Sequence, residues 1–175
     1  MRRSLKLALI ASLTSLSVAS RIALAAFPNV KLVAFITIIG GVLLDGKMGF
    51  LIGFLSMFIS DSVFFGLGYW TAATAPCMGF VGLLAGSILK DAKSMSRMDL
   101  FLAGFILTLI YDVITSIALA IPFYGTIERA LIVAILGLFL PTPYPMGPIH
   151  EISTGLALSM LTHPIVSYLE RLGIR

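Results

Sequence analysis

Several ionisable side chains lie in or beside long apolar runs, where charge is costly. The chain has eight acidic residues, and four of them are not explained by a polar surface loop. These four are Asp61, Asp112, Glu128 and Glu151. Arg21 lies inside the first apolar run, and His150 directly precedes Glu151. An ionised group facing lipid at mid-depth costs roughly 2.5–3.5 kcal/mol, so we expect these groups to face one hydrated recess.

Helix geometry places the recess near one membrane surface. With a rise of 1.5 Å per residue, Asp61 lies ~6 Å, Arg21 ~7 Å and Asp112 ~13 Å below the outer ends of their helices. His150 and Glu151 lie at the outer mouth of the last one. The pattern predicts an outward-facing binding cavity lined by Arg21, Asp61, Asp112, His150 and Glu151.

Two simpler interpretations stay open. Arg21 could pair with Asp61 or Asp112 only to tie helices together. Tyr69 and Trp70 could belong to the aromatic belt at the membrane interface, or they could stack on a flat ligand ring above the cavity. His163 lies about thirteen residues inward of His150 and is expected to be a helix-packing residue.

The elements that carry these residues are membrane helices. Of 175 residues, 59% are hydrophobic and 11% charged, whereas soluble domains average roughly 45–50% and 25%. The basic residues flank the apolar runs, where such residues set the orientation of the chain in the membrane. We therefore attribute the net charge of +4 to orientation and expect no nucleic-acid partner. The lone Cys77 excludes a disulfide within the chain and a multi-cysteine metal site.

Six spans are predicted in a single all-α membrane domain covering residues 1–175. They are 5–26, 31–44, 48–65, 72–89, 100–121 and 149–169, and the second is short enough to cross upright or only partly. The apolar run at 130–140 is too short to cross. With the prolines of 141–148, it predicts a half-inserted helix and a cap. With both termini cytoplasmic, nine of the twelve Lys and Arg residues lie inside.

Small residues recur at every fourth position of the first span. They are Ala11, Ser15, Ala19 and Ala23. Such a stripe lets another helix approach closely, either within the bundle or from a partner subunit. The Gly49–Gly53 and Gly82–Gly86 segments are expected to pack inside the bundle.

Enzyme motifs are missing from the sequence. It has no glycine-flanked nucleophilic serine, no His-Glu-x-x-His and no P-loop, so we expect no enzyme, cofactor or metal. A self-contained carrier or channel for a small cation or proton is the alternative. It would need a polar path inward, and beyond Asp112 the sequence offers only scattered Ser and Thr residues and His163.

The segment from Arg21 to Gly86 resembles a known family. The residues that carry the likeness are Arg21-Ile22-Ala23, Pro28-Asn29-Val30-Lys31, Gly40-Gly41, Lys47-Met48-Gly49-Phe50, the run from Ser60 to Thr71, and Gly79-Phe80-Val81-Gly82-Leu83-Leu84-Ala85-Gly86. They resemble the substrate-binding S component of energy-coupling factor (ECF) vitamin transporters.

The resemblance implies a six-helix bundle with an outward pocket capped by loops. It adds Asn29, Tyr69 and Trp70 to the expected substrate contacts. The small-residue stripe would contact a membrane coupling subunit attached to two ATPases, and the bundle would topple to release its cargo inward. Acid-rich lining suits amides, amines or hydroxyls, and the loops look most like those associated with cobalamin or its precursors.

Overall fold

The computed structural model describes residues 3–27, 29–139 and 148–173, which form helices and connecting turns. The helices are α1 (Arg3–Ala23), α2 (Val33–Leu43), α3 (Gly46–Ser60), α4 (Tyr69–Ile88), α5 (Arg97–Tyr124), α6 (Ile127–Phe139) and α7 (Ile149–Arg171). A π-helical turn, Asp61–Phe65, extends α3. The described ranges contain no strand, so the predicted all-α class is confirmed.

Five of the helices are long and apolar enough to cross a membrane. They are α1, α3 with its π-helical turn, α4, α5 and α7. The expected sixth crossing corresponds to α2, which has 11 residues and is ~16 Å long, about half the hydrocarbon thickness. A sixth crossing and cytoplasmic termini therefore stay predictions.

The apolar run before the last span forms α6, which packs on α5. Gly125, in the left-handed conformation, ends α5 and allows the chain to turn back. Whether α6 is half-inserted stays a prediction. Residue 140 of the apolar run and residues 141–147 of the predicted proline cap lie outside the described ranges.

The short helix α2 is the most buried element. Every residue from Val33 to Val42 is buried, and α2 packs against α1, α3, α4 and α7. An apolar helix without a polar face belongs inside a bundle. It therefore forms the core around which the spanning helices assemble.

Glycines bring α2, α3 and α4 into backbone contact. A Cβ built on Gly41 or on Gly49 would lie 2.5 Å from the carbonyl oxygen of Gly82. A Cβ built on Gly86 would collide with the backbone nitrogen and Cα of Gly46, so no side chain fits there. The prediction that these glycines pack within the bundle is confirmed.

The two ends of the bundle carry different interactions. The antiparallel helices place Lys6, Asp45, Lys93 and Glu170 at one end, called here the terminal end. Lys6 pairs with Asp45 at 2.5 Å and Lys93 with Glu170 at 2.6 Å. His163 Nε2 donates to the carbonyl of Met95 at 3.1 Å, which fits the packing role expected for it. Arg21 and Asp61 lie at the other end, called here the opposite end.

Replacing Gly82 by alanine tests the close approach of α3 and α4. Alanine should gain about 1 kcal/mol of helix propensity, but overpacking should cost about 1–3 kcal/mol or more. We expect a lower melting temperature for purified Gly82→Ala in detergent. Ala72→Ser, which adds one heavy atom on the exposed face of the same helix, should melt like the wild type. A Gly82→Ala melting temperature equal to or above that of the wild type would contradict the close packing.

Candidate functional site

Arg21 and Asp61 join α1 to the end of α3. Arg21 Nη1 lies 2.5 Å from Asp61 Oδ1 and also donates to the hydroxyl of Ser60. The guanidinium Cζ lies 4.5 Å from the centre of the Phe65 ring, which is a cation–π contact. Because Asp61 begins the π-helical turn and Phe65 ends it, this local widening of the helix presents both groups to Arg21.

Asp61 is fully buried, and both of its oxygens have partners. Oδ1 accepts from Arg21, and Oδ2 accepts from the hydroxyl of Thr71 on α4 at 2.6 Å. A buried carboxylate is tolerated when it is paired and hydrogen-bonded. The arrangement supports the simpler interpretation of this residue, in which Asp61 ties α1, α3 and α4 together.

Asp112 and His150 join α5 to the start of α7. His150 Nδ1 lies 2.8 Å from Asp112 Oδ2, and the His150 ring meets Tyr111 edge to face with centroids 6.1 Å apart. With its proton on Nδ1, the imidazole donates to the carboxylate and leaves Nε2 as an acceptor. The buried His150 ring therefore has one engaged and one open nitrogen.

Glu151 differs from Asp61 in its lack of partners. The residue is 1% exposed, and neither carboxylate oxygen has a hydrogen-bond partner among the described residues. Most buried polar side chains in proteins have a partner. Glu151 is thus a buried acidic residue whose two oxygens have no partner among the described residues.

Lys31 interacts electrostatically with members of both pairs and was not among the site residues predicted from the sequence. It lies in the turn before α2, and it interacts electrostatically with Asp112, Arg21 and Glu151. The available signal was its place in the sequence, two residues after Asn29 at the predicted outer mouth.

The remaining predicted contacts lie at the rim of the opposite end. Asn29 is half-buried in the turn before α2 and has a positive φ of 57°. Tyr69 and Trp70 are 49% and 38% exposed, with ring centroids 5.7 Å apart. Tyr69 also meets Phe123 of α5 at 6.2 Å. Their exposure fits either expected role, interfacial belt or stacking surface.

The small-residue stripe of α1 faces away from the bundle. Ala11, Ser15, Ala19 and Ala23 are all exposed, while Ile10, Thr14 and Ser17 form the buried face of the helix. The alternative in which the stripe packs against the chain's own described helices is therefore wrong. The stripe is available to another protein or to lipid.

Comparison with known proteins identifies the family. The family model described as ECF-type riboflavin transporter, S component, matches residues 4–146. The chain belongs to this family. The resemblance seen in the sequence is confirmed, and this S component is a membrane-embedded, substrate-binding subunit of a vitamin transporter. The family is not a class of enzymes. No curated protein and no solved structure matches the chain.

A double-mutant cycle tests whether Arg21 and Asp61 act mainly on stability. Arg21→Met leaves a buried carboxylate with Thr71 as its remaining donor, and breaking a buried pair in this way typically costs about 3–5 kcal/mol. The double variant Arg21→Met/Asp61→Leu should recover much of the loss in melting temperature.

The same cycle on Lys93 and Glu170 is the control. This pair is partly exposed, so its coupling should be about 1 kcal/mol or less. Equal coupling energies for the two pairs would contradict a special role for the Arg21–Asp61 pair.

Proposed function

We propose that this S component captures riboflavin, or a closely similar uncharged vitamin, at the opposite end of the bundle. The observation that carries the proposal is the Asp112–His150 contact beside Glu151, whose oxygens have no partner among the described residues, with Lys31 near enough to interact electrostatically with both acids. Such a set of polar groups can hold hydroxyl, amide or imide groups, which riboflavin carries.

The choice of riboflavin follows the description of the matched family. In the sequence alone, the loops look most like those associated with cobalamin or a precursor. The exposed rings of Tyr69 and Trp70 offer a stacking surface for a flat ring system. Riboflavin is the smaller ligand and combines such a ring with a chain of hydroxyl groups, so it replaces cobalamin as the first candidate.

The proposed transport cycle needs partners. The exposed stripe of α1 is where we place the membrane coupling subunit, because four small side chains in line permit a close helix contact. Two ATPase subunits bound to that partner would drive inward release. The secondary carrier or channel is the alternative, and solute flux in liposomes without ATPases would favour it.

Ligand binding by the purified full chain tests the substrate. We expect riboflavin to raise the melting temperature, since a ligand at 100 times its Kd stabilises the folded state by about 2.7 kcal/mol. Quenching of riboflavin fluorescence on titration with the protein gives the Kd. Cobalamin and thiamine serve as comparators at equal concentration. Stabilisation by cobalamin alone would restore the first expectation, and stabilisation by none of them would overturn vitamin capture by these ligands.

Enlarging the stripe tests the proposed partner contact. Ser15→Leu and Ala19→Leu should reduce co-purification with the coupling subunit while riboflavin binding stays unchanged, because both positions lie on α1 away from the polar cluster. Ala72→Leu enlarges an exposed residue of α4 and is the matched control. Normal complex formation by both α1 variants would show that the coupling subunit docks elsewhere.

A further inference from the structure

Four neighbouring side chains between α5 and α7 hold buried polar atoms without partners. The atoms are Nε2 of His150, both carboxylate oxygens of Glu151, and the hydroxyls of Thr108 and Thr154. Glu151 is 1% exposed, His150 1%, and both threonines 0%. None of these atoms has a hydrogen-bond partner among the described residues. A cluster of this kind is costly unless something else supplies its hydrogen bonds.

The packing of α5 against α7 places the four side chains together. Asp112 contacts His150, and a Cβ on Gly104 would lie 3.0 Å from the Cα of Gly155. These two contacts fix an antiparallel register. Thr108 lies one turn from each of Asp112 and Gly104, so it faces the turn of α7 that runs from Glu151 to Thr154.

Two of these side chains lie on the same buried face of α7. Glu151 and Thr154 are three residues apart, and both are buried, so they share the face of α7 that packs inward. His150 is adjacent, and its Nδ1 is already engaged by Asp112. The unpartnered atoms therefore occupy about one helical turn of the seam between α5 and α7.

The charges around the cluster restrict what can bind there. Asp112 and Tyr111 of α5 contact His150, and Lys31, in the turn before α2, is close enough to interact electrostatically with Asp112 and Glu151. Arg21 of α1 acts on Lys31 from further away, but its guanidinium is engaged by Asp61. The carboxyl groups of Asp112 and Glu151 favour a hydrogen-bond donor over a carboxylate or phosphate, and Lys31 offsets part of their negative charge. The ligand group that binds there is therefore uncharged or a hydrogen-bond donor.

The donors and acceptors of the cluster further restrict the chemical class of the ligand group. The carboxyl group of Glu151 can accept hydrogen bonds, as can Nε2 of His150 when the ring proton is on Nδ1, while the threonine hydroxyls both donate and accept. An ammonium group would satisfy the carboxylate but could accept nothing from the threonines. Neighbouring hydroxyl groups satisfy all of them, because each hydroxyl donates one hydrogen bond and accepts others.

We propose that Glu151, Thr154 and Thr108 form a subsite for a polyhydroxylated segment of the cargo. The inference rests on the proposed function and assigns an orientation to it. The hydroxyl chain lies inward at the seam between α5 and α7, and the flat ring lies outward toward Tyr69 and Trp70.

The test compares riboflavin with lumiflavin, which has the same ring system and a methyl group in place of the ribityl chain. The wild-type chain in detergent should bind riboflavin at least about a hundredfold more tightly, since a site built for hydroxyls rejects an analogue without them. Glu151→Gln should weaken riboflavin binding about 10- to 100-fold and Thr154→Val about tenfold. Lumiflavin binding should change less than about threefold in both variants.

Thr162→Val is the matched control. Thr162 is a buried, unpartnered threonine on the same helix, eight residues or ~12 Å further along α7. Its replacement should leave the affinities for both flavins unchanged. If Glu151→Gln does not fold, Thr154→Val and Thr108→Val carry the test, since both remove a hydroxyl at nearly constant volume.

The possible results distinguish an error in the proposed subsite from an error in the proposed substrate. If riboflavin and lumiflavin bind equally well, or if the variants weaken both alike, flavin capture stands and the hydroxyl subsite is wrong. If Thr162→Val lowers riboflavin affinity as much as Thr154→Val does, the assigned location is wrong. If neither flavin binds, the proposed substrate and the subsite both fail.

Discussion

The cost of placing a charged or strongly polar group in hydrocarbon governs this structure. Lipid offers no hydrogen bonds, so each such group must find a partner within the protein or in a hydrated recess. Asp61 meets this demand completely, through Arg21 and Thr71. Glu151 does not, although it is almost fully buried. Asp61 therefore acts as a structural link between helices, whereas Glu151 is a candidate ligand contact. The proposed function depends on this difference between two acidic residues.

The two sides of the bundle are built differently. Glycine contacts such as that between Gly49 and Gly82 bring α2, α3 and α4 together at the backbone, which leaves little room between them. The seam between α5 and α7 also has a glycine contact, at Gly104 and Gly155, but toward the opposite end it buries threonine, histidine and carboxyl side chains. A closely packed side can hold its shape while the polar seam receives a ligand.

Much of the fold could be predicted from the sequence, because hydropathy reports directly on burial in a membrane. The predicted spans match the observed helices to within a few residues at most boundaries, as at α7, predicted to begin at residue 149 and observed from Ile149. Depth along the helices placed Arg21, Asp61, Asp112 and His150 toward one end, but the sequence left open whether Arg21 pairs with Asp61 or Asp112 and did not predict the pair of Asp112 with His150. Lys31 was missed because its role depends on neighbours from three other elements.

The sequence by itself determined the environment, the helical class, the family and the end of the bundle where the polar residues gather. These properties follow from composition and local order along the chain. Only the tertiary structure decided which polar atoms are already satisfied, which face of α1 is free, and which turn of α7 faces Thr108. Hydrogen bonds and contacts between helices depend on register and rotation, and these are settled by packing among residues far apart in the chain.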